Sequence, residues 1–147
     1  MRRSGVLALI VIGVLLTFAA PPAAADEGGV VRFATLPKPG PGFPEGLAAD
    51  ARGNIYVATF DFSTANVIHI FNHSSGRLRD TIPLPAGVVP LGLGFDGGGN
   101  LYAADFANGN VLKFSPPFGA ASTPAATYPV CGGVAAGCGL NALTFDA

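Results

Sequence analysis

Asp50, Asp96 and Asp146 close three short apolar runs at the same place in each. A carboxylate that returns in register is either a ligand set or a turn device. The turn reading is favoured, because an Asp at the head of a turn accepts hydrogen bonds from the amides that follow it. Asp61 and Asp105 come after the next apolar run and would line one common face. His69 lies in an alternating apolar stretch and His73 in a polar turn, without the partner spacing that a metal or a nucleophile needs. Ser63, Ser74, Ser75 and Ser115 lack a G-x-S-x-G setting, which argues against a serine hydrolase. The glycines at 97–99 fall between two strand-like runs and not before a helix, so they do not read as a phosphate loop. Cys131 and Cys138 frame the loop CGGVAAGC. A shared metal is one reading, but two thiolates with no His or further Cys nearby do not fill a tetrahedral zinc shell, and a disulfide pinning the loop is expected.

These residues are carried by a sequence that repeats itself. At an offset of 46, PEGLAADARGNIYVATF (44–60) falls on PLGLGFDGGGNLYAADF (90–106), matching Pro44 with Pro90, Gly46 with Gly92, Asp50 with Asp96, Gly53 with Gly99, Asn54 with Asn100 and Tyr56 with Tyr102. After a slip of two residues the match returns in NVIHIF (66–71) and NVLKF (110–114). A third copy opens 50 residues on, where Leu143, Phe145 and Asp146 fall under Leu93, Phe95 and Asp96. Self-similarity at this period marks a repeat architecture. Each copy reads as antiparallel strands: GLAAD, a turn ARGN in which Gly53 and Asn54 tolerate positive φ, then IYVATF, NVIHIFN and RLRDTIPL. In the second copy the fourth strand is blurred by the proline-rich excursion SPPFGAASTPAATYPVCGGVAAGCG (115–139).

One four-stranded sheet of about 45 residues cannot bury both faces, and stacking similar sheets around an axis, as in a β-propeller, solves the problem. The expected fold is all-β, a partial β-propeller of about two four-stranded antiparallel blades, 44–89 and 90–139, with the start of a third at 140–147. Residues 26–43 supply a lone outer strand, VVRFATLPKP, and a Pro- and Gly-rich linker. Two blades alone would leave long edges and apolar faces open. The sequence therefore reads as the N-terminal part of a longer protein, with the remaining blades in cis; a ring assembled from several copies and a small sandwich are the alternatives.

The first 25 residues have the layout of a Sec-type signal peptide: Arg2 and Arg3, an apolar run from Val6 to Ala20, and the small-residue site Ala23-Ala24-Ala25 with cleavage before Asp26. The apolar run is a little short of the about 20 residues that a membrane span needs, and an uncleaved anchor is the alternative. A secreted or periplasmic protein with no membrane span after cleavage is expected. Without the signal, six basic side chains stand against nine acidic ones, a net charge of about −3 and no footprint for nucleic acid. No stretch has the i, i+3, i+4, i+7 apolar spacing of a long helix, and the 21 Gly and 13 Pro of the 147 residues point to short strands and many turns.

PEGLAADARGNIYVATF and PLGLGFDGGGNLYAADFANGNVLKF resemble the NHL-type blade, P-x-G-(apolar)-x-x-D-x-x-G-N-(apolar)-Y-(apolar)-A-D followed by N-x-(apolar)-x-x-F. They resemble equally the blade of the SMP-30/gluconolactonase/LRE-like region. The resemblance covers roughly residues 44–115 and 140–147. It implies a complete form of six blades and, for the second family, metal-dependent lactonase activity. The x of P-x-G enters the innermost strand, where equivalent positions of successive blades would converge at a channel mouth. In the lactonase-like family a Glu at this slot of an early blade, with an Asn and an Asp at the same slot of later blades, holds a divalent cation. Here the slot carries Glu45, Leu91 and Asn141, so the resemblance makes Glu45 and Asn141 candidate metal ligands and places the Asp beyond residue 147.

Oxygen ligands of this kind suit Ca²⁺, Mg²⁺ or Mn²⁺, and such a cation would polarise a lactone carbonyl and activate a bound water, with a carboxylate as general base. A solvated turn Glu and a self-capping Asn are the simpler readings of the same residues. The family's substrate-contacting Arg and Asn motifs are not visible. Two functions stay open: a metal-dependent hydrolase of a lactone or sugar-derived ester, inactive at this chain length, and a non-catalytic NHL-like propeller that binds a protein or glycan.

Overall fold

The computed structural model describes residues 30–38, 42–61, 65–131 and 139–146. The chain divides into two units, Met1–Val31 and Arg32–Ala147. The signal expected at 1–25 lies outside the described residues, and Val30 and Val31 carry no regular structure. Among the described residues no helix is long and apolar enough to cross a membrane.

The second unit is all-β, two four-stranded antiparallel sheets with no helix among the described residues. The first sheet runs in chain order through β1 (Phe43–Ala49), β2 (Ile55–Phe60), β3 (Val67–Phe71) and β4 (Leu78–Pro83). The second follows with β5 (Pro90–Phe95), β6 (Leu101–Asp105), β7 (Asn110–Phe114) and β8 (Ala126–Pro129). The strands form where period-two patterning gives a sheet one face to bury. In β2, Tyr56 and Ala58 are buried while Ile55 and Val57, alternating with them, are half-buried. One apolar core joins the sheets: Tyr56, Ala58, Ile68, Ile70 and Ile82 from the first meet Leu93, Leu101, Ala103, Leu112 and Phe114 from the second. Each fully buried large apolar side chain contributes on the order of 1.5–3 kcal/mol.

The registers of the two sheets superpose. Pro44 opposes Thr59 as Pro90 opposes Asp105, and Leu47 opposes Val57 as Leu93 opposes Ala103. In both sheets the pairing shifts just after the proline, a β-bulge that falls on the P-x-G slot. The two-residue slip in the repeat is the β2–β3 loop, which runs from Asp61 to Asn66 where the β6–β7 turn needs only Phe106 to Gly109.

Three local expectations change. Residues 32–37 form no strand, and the backbone at Phe33 lies against Gly76 in the β3–β4 turn. The fourth strand of the second sheet does form, as β8 inside the excursion, paired to β7 from Asn110–Pro129 through Lys113–Ala126. Three of its four side chains are exposed and the fourth is half-buried, so the strand leaves no alternation to read. Positive φ in the first turn belongs to Gly53 alone, at 81°; Asn54 has an ordinary backbone and is buried.

Candidate functional site

The slot residues lie side by side because glycine lets β1, β5 and the segment 139–146 approach closely. A Cβ on Gly46 would come within 2.9 Å of the Leu91 carbonyl oxygen, and one on Gly92 within 2.7 Å of the Asn141 carbonyl oxygen. Glycine is thus required at both positions by close backbone approach. The same step recurs at the side-chain level: Tyr56 packs on Phe95 with ring centroids 4.9 Å apart, and Tyr102 packs on Phe145, also at 4.9 Å. The segment 139–146 therefore meets the second sheet as β5 meets the first, although it forms no strand.

Glu45, Leu91 and Asn141 follow one another across this array, with the half-buried Leu91 between the two exposed polar residues. The register shift of β1 spans Glu45 and that of β5 spans Leu91, and bulges of this kind are frequent beside functional sites. Neither the Glu45 nor the Asn141 side chain has a hydrogen-bond partner among the described residues. As a donor set, a carboxylate and an amide oxygen fit a hard cation in kind. They fall short in number, and no group of three or more His, Cys, Asp and Glu able to hold a metal occurs among the described residues.

Two of the three recurring aspartates, Asp50 and Asp96, are committed to turns. The amides of Arg52 and Asn54 each donate to Asp50 Oδ1 at 2.9 Å, and Asn54 Nδ2 donates to Oδ2 at 2.8 Å. The second sheet repeats this wiring: Gly98 and Asn100 amides donate to Asp96 Oδ1 at 3.0 and 2.8 Å, Asn100 Nδ2 to Oδ2 at 2.9 Å, and the Tyr102 hydroxyl to Oδ2 at 3.0 Å. Gly53 and Gly99 close the two turns by donating to the Asp50 and Asp96 carbonyls at 2.9 and 3.0 Å. The Asn100 side chain and then its amide hold the Asp96 carboxyl down to about 2. Burial raises Asp50, but the donors from Asn54, Arg52 and Tyr56 outweigh it and leave its pKa lowered. Burial, with Asp50 alongside, pushes the Tyr56 hydroxyl up to about 12.

Asp105 and His69 are engaged within the fold. Asp105 is buried and accepts from the Val89 amide at 3.1 Å and Asn108 Nδ2 at 2.7 Å, pinning the β4–β5 connection to the β6–β7 turn. His69 is buried, its Nδ1 3.3 Å from Thr81 Oγ1, and burial lowers its pKa. Ser63 and Cys138 lie outside the described residues, and Cys131 sits in the turn after β8.

A cleft of ≈ 720 Å³ opens between the two sheets at the Asp50 and Asp96 turns. β1 runs from the slot to the first of these turns, so the cleft and the slot are at opposite ends of the inner strands. The repeat gives no sign of it, because Arg79, on β4, and Phe118, in the excursion, reach it from outside the repeated positions. No protein-family model matches this sequence, and no curated protein matches it.

Proposed function

We propose that this chain supplies consecutive blades of an exported β-propeller of the SMP-30/gluconolactonase/LRE-like kind, six-bladed when complete. In this reading Glu45 and Asn141 face a channel mouth that holds Ca²⁺, Mg²⁺ or Mn²⁺ once further blades add donors. The observation that supports it is the repeated step between inner strands, Gly46 on Leu91 and then Gly92 on Asn141, which sets successive slots at one end of the array. Glu45 would contribute the carboxylate and Asn141 a neutral oxygen, both uncommitted among the described residues, while Leu91 gives the mouth an apolar patch for a ring-shaped substrate. The cation, when bound, would polarise a lactone or sugar-ester carbonyl and acidify a water. Glu45 and Asn141 supply two of the donors that a hard cation of this kind takes.

Calorimetric titration of the chain with Mn²⁺ tests the reading. Glu45→Gln should weaken binding at least about fivefold, since it removes the carboxylate of a hard-cation site, and Asp96→Asn should leave it unchanged. Equal binding by Glu45→Gln and the natural chain would contradict it. A second reading, a non-catalytic NHL-like propeller that binds a protein or glycan, is favoured by Phe43 and Leu47, which stand 61 % and 66 % exposed on the innermost strand of the first sheet.

A further inference from the structure

The cleft at the turn end has the composition of a small-molecule site. Its wall is a triad of edge-on rings: Tyr56 to Phe95 at 4.9 Å, Tyr56 to Phe118 at 5.6 Å and Phe95 to Phe118 at 5.9 Å, with Ile70 behind them. Phe118 is brought there by the excursion, which Asp80 of the first sheet anchors by accepting from the Ala120 amide at 3.1 Å. At ≈ 720 Å³ the space is within the range of about 300–1,000 Å³ typical of ligand pockets, which are apolar with a few placed polar groups.

The polar groups are two guanidinium side chains and two carboxylates, and they are not equivalent. Both oxygens of Asp50 and of Asp96 accept hydrogen bonds within their own turns, as described above. Arg52 and Arg79 are exposed at the rim, and neither guanidinium is ion-paired among the described residues. The cleft thus offers aromatic faces and edges to a ring and two unspent cationic forks to an anion.

We propose that this cleft binds a small ring-bearing anion, its apolar ring against Tyr56, Phe95 and Phe118 and its carboxylate or other oxyanion on Arg52 and Arg79. The site is separate from the slot at Glu45 and does not rest on cation binding there. Its cationic half comes from the first sheet, from the β1–β2 turn and β4, and Phe118 from the second, so the ligand would bridge the two sheets.

The test is an amide chemical-shift titration of the ¹⁵N-labelled full chain with naphthalene-2-carboxylate, compared with the uncharged 2-naphthylmethanol. Saturable shifts should centre on residues 51–52, 79, 96–99 and 118. The dissociation constant should rise at least about tenfold for the alcohol and for the Arg52→Gln/Arg79→Gln variant, the expected loss of a charge-assisted contact. Phe118→Ala, which leaves both arginines in place, should also weaken binding while the rest of the amide spectrum stays dispersed. Equal affinity for acid and alcohol, undiminished binding by the double variant, or shifts centred instead on Phe43 and Leu47 would overturn the proposal.

Discussion

Gly46 and Gly92 have no side chain to do chemistry with, yet they decide where Glu45, Leu91 and Asn141 sit. Their identity was legible in the repeat, but the reason for it was not, since the atom each one makes room for belongs to backbone 45 to 49 residues away, Leu91 for Gly46 and Asn141 for Gly92. Alanine at either position should cost about 1–3 kcal/mol, the usual penalty of forced overpacking against atoms that cannot yield. Gly97 has ordinary φ and open space within 4 Å of where a Cβ would stand, and should accept alanine within about 0.5 kcal/mol. Urea unfolding of the three variants checks both. The roles of Arg52, Arg79 and Phe118 could not be read in advance, because an exposed Arg and a Phe after two prolines carry no periodic signal.

At the scale of elements, the hairpin D-x-x-G-N-x-Y is the clearest case of sequence dictating structure. Asp, Gly, Asn and Tyr recur at fixed spacing because one carboxylate gathers the amides of its own turn while the glycine takes the left-handed position. Both carboxyls have folded-state pKa values below the ordinary 3.8, so the stability they contribute is full above about pH 4 and is lost as pH falls, toward about 2 for Asp96. Removing the main donor in Asn100→Ala should raise the Asp96 pKa and move the onset of acid destabilisation to higher pH, read as the urea midpoint between about pH 2 and 5. The strands of the first sheet were legible for a similar reason: alternation and turn residues are local. β8 and residues 32–37 were not legible because neither is set by its own pattern, one pairing with the β7 edge and the other lying against a turn.

For the molecule as a whole, two sheets of matching register are joined by a step that Tyr56–Phe95 and Tyr102–Phe145 both express. The all-β class and the four-strand unit were readable because the repeat states them twice. The cleft was not, because it is made of what differs between the copies. The two candidate sites lie apart, with the slot residues at the entry of β1 and β5 and the aromatic cleft at their exit. In the function proposed above, Glu45 and Asn141 open onto one mouth and share a cation there. Paramagnetic broadening of amide signals by Mn²⁺ in the ¹⁵N-labelled chain tests it most directly. Substoichiometric Mn²⁺ should broaden Gly46 and Ala142 together, and Glu45→Gln should abolish both effects. Broadening centred on the Asp50 and Asp96 turns, or at Gly46 without Ala142, would contradict the claim.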